Sequence, residues 1–113
     1  MIFPEVAKSK ALVIVEIIKY VPNSVVSKTI IKKSSGTVSV VAMEAGEGLT
    51  EKTSPFDTFL QIIEGRAEIV IDRKSNFLEA GQSIIIPAFT SNVVKANERF
   101  KMILTVIKSS DEL

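Results

Sequence analysis

A polar segment between two β-prone stretches carries the side chains best suited to chemistry. Lys52, Ser54 and Asp57 precede an apolar run at 59–63. A lysine that is desolvated in an apolar pocket can act as a base or as an amine nucleophile. Asp57 or Glu51 could then serve as the acid or orient the lysine. This arrangement predicts a site at the mouth of a strand pair.

The chain has no cysteine and no histidine, and this excludes several kinds of site. A thiolate zinc centre, a thiol nucleophile and disulfides all need cysteine. Histidine is the usual group for proton transfer near neutral pH. The 14 basic and 13 acidic residues give a formal charge of +1. We therefore expect neither a nucleic-acid nor a membrane partner, because both need a strongly basic surface.

The length of 113 residues fits one domain. The first ten residues lack the basic-then-apolar order of a signal peptide. The longest early apolar stretch, at 11–18, is too short to span a membrane and contains Glu16. We therefore expect a soluble cytoplasmic protein.

Short runs rich in Val, Ile, Thr and Phe alternate with turn residues along most of the chain, a pattern typical of β-strands. Arg66–Asp72 illustrates it: Ala67, Ile69 and Ile71 share one face, and the opposite face is mostly polar. Many short strands at this spacing predict an all-β sandwich or barrel. The predicted strands are 24–33, 37–44, 58–63, 66–72, 76–79, 83–86, 91–96 and 100–107.

The first 23 residues differ from the rest. Pro4 could open a short helix over residues 4–8. Residues 11–20 suit either a strand or one to two helical turns. We therefore expect an N-terminal extension over 1–23, either a short helix or a strand exchanged with a partner, followed by a barrel over 24–110 in a single domain.

Four residues at fixed spacing resemble the framework of the cupin superfamily: Gly46, Gly65, Gly81 and Pro87. Cupins are small barrels built as a double-stranded β-helix, and the resemblance covers about residues 36–107. It is closest to small single-domain bacterial cupins, which often have no assigned function. The resemblance implies an all-β double-stranded β-helix, a cupin or jelly-roll barrel, preceded by the short N-terminal extension.

The positions that hold the metal ligands in this family are substituted here. Lys52 and Ser54 stand at the two histidines of the first motif, Thr58 at its glutamate and Asn92 at the histidine of the second motif. Asp57 lies one residue before the carboxylate position. Neutral oxygens and a protonated amine are poor ligands for divalent first-row metals. We therefore expect neither a metal nor another cofactor.

Several functions stay open on the sequence alone. The leading one is a metal-independent cupin that either binds a small molecule or has a structural or regulatory role. A binding pocket for a small polar or anionic ligand would be lined by Lys52, Ser54, Asp57, Thr58 and Asn92. Alternatively, large apolar side chains fill the barrel and the protein has a structural or regulatory role. A third possibility is an isomerase-like or lyase-like enzyme that uses Lys52 and a nearby carboxylate on a small carbonyl or sugar-like substrate. No specific catalytic residue is assigned.

A homodimer is also expected. The segments 11–18 and 24–31 provide apolar, β-prone sequence that a monomeric barrel need not cover. In 100–107, the face with Lys101, Ile103, Thr105 and Ile107 is apolar enough to be partly covered by a partner subunit. Dimerisation would cover such an edge or face.

Overall fold

The computed structural model describes residues 6–108. A single 3-10 turn at Ile14–Glu16 precedes eight strands. The strands are β1 Val25–Lys33, β2 Gly36–Met43, β3 Gly48–Lys52, β4 Asp57–Ile71, β5 Lys74–Glu79, β6 Ser83–Ile86, β7 Asn92–Lys95 and β8 Phe100–Ile107.

All strand pairs are antiparallel, and β4 joins two sheets. The first half of β4 pairs with β8 and β6, which gives a first sheet in the order β1-β2-β8-β4-β6. The second half of β4 pairs with β5 and β7, which gives a second sheet in the order β5-β4-β7-β3. The two sheets form a curled all-β barrel, as predicted.

The long strand β4 bends where it passes from one sheet to the other. Its pairing with β8 shifts register between Ile62 and Glu64, and Gly65 has φ +78°. A Cβ at Gly65 would clash with the backbone carbonyl of Arg99, so only glycine fits this position. The extra residue changes which side chains face inward: Leu60 before the bend and Ala67 after it are both buried.

This bend corrects the sequence prediction, which had separate strands at 58–63 and 66–72. The chain is one 15-residue strand through Gly65. Gly65 therefore belongs to a bulge within β4 and not to a turn between two strands. The predicted face of Ala67, Ile69 and Ile71 does face the core.

Strand β3 was missing from the prediction, because Gly48–Lys52 contains too few β-prone residues to stand out. The strands 83–86 and 100–107 match the prediction. Residues 6–8 are not helical, and the rest of the predicted helix at 4–8 lies outside the described residues.

The main core lies between the two sheets and contains large side chains from both, including Met43, Leu60, Ile69, Phe100 and Met102. A second cluster lies outside the first sheet. There Ile18 is buried against Val40 and Ala42 of β2, so the residues after the 3-10 turn cover one end of the sheet's outer face. Burial of this apolar surface fixes the N-terminal segment on the barrel.

Candidate functional site

A cavity of about 120 Å³ opens at one end of the barrel. Because β4 is bent, both its first and its last residues lie at this end. The walls of the cavity are mostly apolar and come from both sheets. Four polar side chains also line it: Lys52, Ser54, Thr58 and Asn92. The apolar lining residues are Leu49, Phe56, Leu60, Ile86, Pro87, Val94, Leu104 and Val106.

Strand register brings Lys52 and Asn92 together. They are register partners across β3 and β7. The register shifts between Leu49 and Lys52, and both of these residues line the cavity. Asn92 is only 4% exposed, and its Nδ2 donates to the carbonyl of Lys52 at 3.3 Å and to that of Thr90 at 3.4 Å. The buried amide therefore fixes the backbone on which Lys52 is mounted.

Ser54 and Thr58 approach the cavity from the loop after β3 and from β4. The Ser54 hydroxyl accepts a hydrogen bond from the Phe56 N–H at 3.1 Å, and its proton remains available to donate. Thr58 lies between Val106 of β8 and Ile86 of β6 in the first sheet. Both hydroxyls thus belong to the polar end of the cavity.

Asp57 is not among the residues that line the cavity. Its Oδ1 accepts a hydrogen bond from the Ala88 N–H at 2.8 Å, so it ties the start of β4 to the loop after β6. The structure therefore brings four of the five predicted site residues together and gives Asp57 a different position. Its carboxylate supports the rim of the site.

Phe89, in the loop between β6 and β7, has φ +61°, in the left-handed region that favours glycine. Its N–H donates to the carbonyl of Ser54 at 2.6 Å, while the residue is 77% exposed. This hydrogen bond joins the loop after β6 to the loop after β3, where both frame the cavity.

The side chains present do not fit a transition metal. Within residues 6–108, no group of three or more His, Cys, Asp and Glu residues is placed to hold a metal ion. The cavity offers one ammonium, two hydroxyls and one amide. Such groups are weak ligands for divalent first-row transition metals.

The structure does not assemble the acid–base pair considered from the sequence. Lys52 is exposed, so burial does not strip water from its ammonium. Glu51 is also exposed, and Asp57 is engaged with Ala88. The arrangement can bind through charge and hydrogen bonds, but it lacks a desolvated base next to a carboxylate.

Lys32 of β1 lies in the same register row as a cavity residue. It is paired with Thr37, and Thr37 is paired with Val106, which lines the cavity. The β1 bulge between Thr29 and Ile31 sets this register. The bulge could not be predicted, because Ile30-Ile31 has the pattern of an ordinary strand.

A separate polar cluster holds the N-terminal segment on the first sheet. The Tyr20 hydroxyl donates to Glu64 Oε2 at 2.6 Å, and the buried Lys101 Nζ donates to the carbonyl of Val15 at 2.6 Å. Lys101 Nζ also lies 3.7 Å from Glu64 Oε2. Burial, and then the hydrogen bond to Glu64, raise the pKa of Tyr20 above its ordinary range.

Arg99 extends this cluster outward. Its guanidinium lies 4.5 Å from the Tyr20 ring centre and donates to both carboxylate oxygens of Glu44, at 3.0 and 2.7 Å. The bond from Arg99, followed by that from the Ala45 N–H, lowers the pKa of Glu44. These contacts lie on the outer side of the first sheet and join the N-terminal segment to it.

Comparison with solved structures identifies the fold. A conserved protein of unknown function from Streptococcus pyogenes superposes with a TM-score of 0.89 at 25% identity, over 97% of this chain and 96% of that one. A cupin superfamily protein from Desulfitobacterium hafniense gives 0.87 at 22% identity, over 94% and 97%. A cupin 2 conserved barrel domain protein from Leptotrichia buccalis gives 0.80 at 26% identity, over 83% of this chain and 46% of that one.

The chain has the cupin fold. No family model matches the chain, and neither does any curated protein. Within residues 6–108, no helix is both long enough and apolar enough to cross a bilayer.

Proposed function

We propose that this protein is a metal-independent cupin that binds a small molecule in the cavity at the end of its barrel. The observation that carries this proposal is the open space of about 120 Å³ at the substituted metal-ligand positions. Large side chains do not fill this end of the barrel. Apolar walls with a few convergent polar groups are typical of ligand pockets.

The polar groups favour binding over turnover. Lys52 offers a charge, Ser54 and Thr58 offer hydroxyls, and Asn92 uses its amide to hold the backbone of Lys52. A proton-transfer mechanism would need a base and an acid in contact with the same substrate. Since neither Glu51 nor Asp57 lines the cavity, an isomerase-like or lyase-like reaction is the less favoured proposal.

Native mass spectrometry and elemental analysis of the gently purified protein test this function. We expect no stoichiometric iron, manganese, nickel or zinc, and we expect a retained or added small molecule to bind one per chain. Stoichiometric metal that resists dialysis against a chelator would overturn the metal-independent mechanism. Failure of a broad library of small acids, alcohols and aromatics to bind would overturn the pocket.

We also propose that the protein forms a homodimer through the outer face of its first sheet. Five side chains form one row across five strands, because each is the register partner of the next: Ile31, Val38, Thr105, Phe59 and Ile85. The row carries no charge and crosses about 19 Å of sheet at about 4.8 Å per strand. The N-terminal segment covers the other end of the same face and leaves this row uncovered.

A second copy is the occupant that this face fits best. Ile31, Phe59 and Ile85 are 47%, 39% and 62% exposed, and an uncharged row needs no oppositely charged partner. Sheets pack face to face through such rows. A stable dimer buries about 800 Å² per partner, so the neighbouring Ile103 and Ile107 would join the interface.

Light scattering across a concentration series tests the dimer. We expect a dimer at micromolar concentration and a monomer for Ile85→Lys. Phe77→Lys is the matched control, because Phe77 is 51% exposed on β5 of the second sheet. A monomeric wild type, or a dimer that Ile85→Lys leaves intact, would refute this interface.

A further inference from the structure

The polar side chains of the cavity lie at its mouth, beside apolar residues such as Ile86 and Val106, and its deeper walls are apolar. Thr58 and Asn92 lie at the outer end of their strands, and Leu60 and Val94 lie two residues deeper. Lys52 is level with Asn92, as its register partner. A ligand that fits must therefore have a polar head and an apolar body.

The charge of the lining selects the head group. Among the described residues that line the cavity, Lys52 is the charged one and none is a carboxylate. The Ser54 hydroxyl accepts from the Phe56 N–H, which leaves its O–H proton available to donate to a ligand. A positive charge and hydroxyl donors together match an anionic oxygen acceptor.

The apolar end limits the size of the body. An engineered apolar cavity of about 150 Å³ in another protein accommodates benzene. The space here is slightly smaller, at about 120 Å³, and is walled by side chains such as Leu49, Leu60 and Leu104. A body of about four to six carbons therefore fits, with the charged head at the open mouth.

Other anions fit this lining less well. Phosphate and sulfate sites are typically built from arginine forks or from several backbone N–H groups, and they do not need apolar walls. A sugar carries hydroxyl groups all round and would leave them unpaired against leucine and valine. The division of the cavity favours a ligand with one charged end.

We propose that the cavity binds small organic monocarboxylates, with the carboxylate at Lys52, Ser54 and Thr58 and the hydrocarbon body against Leu60, Val94 and Leu104. This inference rests on the proposed function, because it specifies the ligand class of the same pocket. The charged contact gives the preference for an acid, and the apolar contacts give the limit on its size.

Calorimetric titration of the chelator-treated protein tests the ligand class. The probes are benzoate and pentanoate, each compared with a neutral analogue of equal size, benzyl alcohol and pentanol. We expect each acid to bind at least about tenfold more tightly than its alcohol, the factor that one charge-assisted hydrogen bond supplies. Inorganic phosphate should not compete with benzoate.

Variants separate the charge from the pocket. Lys52→Met should reduce the ratio of acid affinity to alcohol affinity to about one, while the alcohols still bind. Lys52→Arg should retain most of the preference for the acid. Lys74→Met, on exposed β5, is the matched control and should change nothing. Thermal unfolding verifies that each variant is folded.

The outcomes distinguish the two proposals. Alcohols that bind as tightly as acids, or phosphate that displaces benzoate, would overturn the monocarboxylate class and leave the pocket in place. Failure of both acids and both alcohols to bind would overturn the pocket itself. An acid preference that survives Lys52→Met would overturn the assigned role of Lys52.

Discussion

Asn92 donates from its buried side-chain amide to the backbone carbonyl of Lys52 at 3.3 Å. The bond joins the start of β7 to the end of β3. These two residues, which come from different parts of the sequence, therefore form a connected structure at the mouth of the barrel.

The first prediction concerns this bond. Asn92→Leu should lower the free energy of unfolding by about 1–2 kcal/mol, because it removes a buried donor from the carbonyls of Lys52 and Thr90. Urea denaturation measures the change. Asn97→Leu is the control, because Asn97 is exposed and its amide donates to Glu68 at the surface. This substitution should lower the free energy of unfolding by under about 0.5 kcal/mol. Equal effects of the two variants would contradict the structural role of Asn92.

The second prediction concerns the substituted ligand positions. A variant with Lys52→His, Ser54→His, Thr58→Glu and Asn92→His should bind zinc or nickel at one per chain, because imidazoles and a carboxylate are suitable ligands. The wild type should retain no metal after the same dialysis, as measured by elemental analysis. If the fourfold variant folds but binds no metal, these four positions do not converge as the structure shows.

The third prediction concerns the open space in the barrel. Leu104→Phe should abolish binding of small ligands, because the larger ring enters the cavity that Leu104 lines. The free energy of unfolding should change by under about 1.5 kcal/mol, since the added volume occupies existing space. Calorimetry and denaturation measure the two effects.

Ile103→Phe is the matched control for this change. Ile103 is the adjacent residue of β8 and pairs with Val40 and Gln61 on the outer face. Its substitution should leave ligand binding unaltered. Undiminished binding in Leu104→Phe would show that ligands bind elsewhere.

The fourth prediction uses the fact that the chain has one tyrosine and no tryptophan. The raised pKa of Tyr20 means that its hydrogen bond to Glu64 stabilises the fold fully below the ordinary tyrosine pKa of about 10. That stability should be lost as the pH rises towards the value in the folded protein. The ultraviolet absorbance of tyrosinate should rise with a midpoint pH well above that of free tyrosine in native protein, and with a midpoint pH of about 10 in urea.

Variants of the partner test the cause of this shift. Glu64→Gln should bring the midpoint part of the way down, since burial still acts on Tyr20. Tyr20→Phe should lower the free energy of unfolding at neutral pH by about 1–2 kcal/mol. Glu79→Gln, an exposed carboxylate on β5, should alter neither quantity. A Tyr20 titration midpoint at a pH of about 10 in the native protein would show that the N-terminal segment is not held as described.

Much of the fold could be predicted from the sequence, because alternation and turn residues are local signals. The strands 83–86 and 100–107 have the predicted bounds, and Gly46 and Gly81 have the positive φ that their turns require. The bend in β4 could not be predicted. Glu64-Gly65 reads as a hairpin turn, and the distinction depends on contact with Arg99 and Phe100, 34 or more residues away.

Of the five residues predicted for the candidate site, four line one cavity: Lys52, Ser54, Thr58 and Asn92. Spacing could not assign Asp57, because its partner Ala88 lies in the loop after β6. Whether the barrel was open or filled also depended on tertiary packing. The volumes of the apolar side chains, which the sequence provides, are compatible with an open barrel and with a filled one.

Methyl NMR of chelator-treated protein, titrated with benzoate and with toluene, tests the central claim most directly. We predict saturable shifts of the Leu60, Val94 and Leu104 methyls, no shift at Ile85 on the outer face, and no dependence on added metal. The absence of saturable shifts at the cavity methyls, or binding that appears only when zinc or another divalent metal is added, would contradict a metal-independent pocket in this barrel.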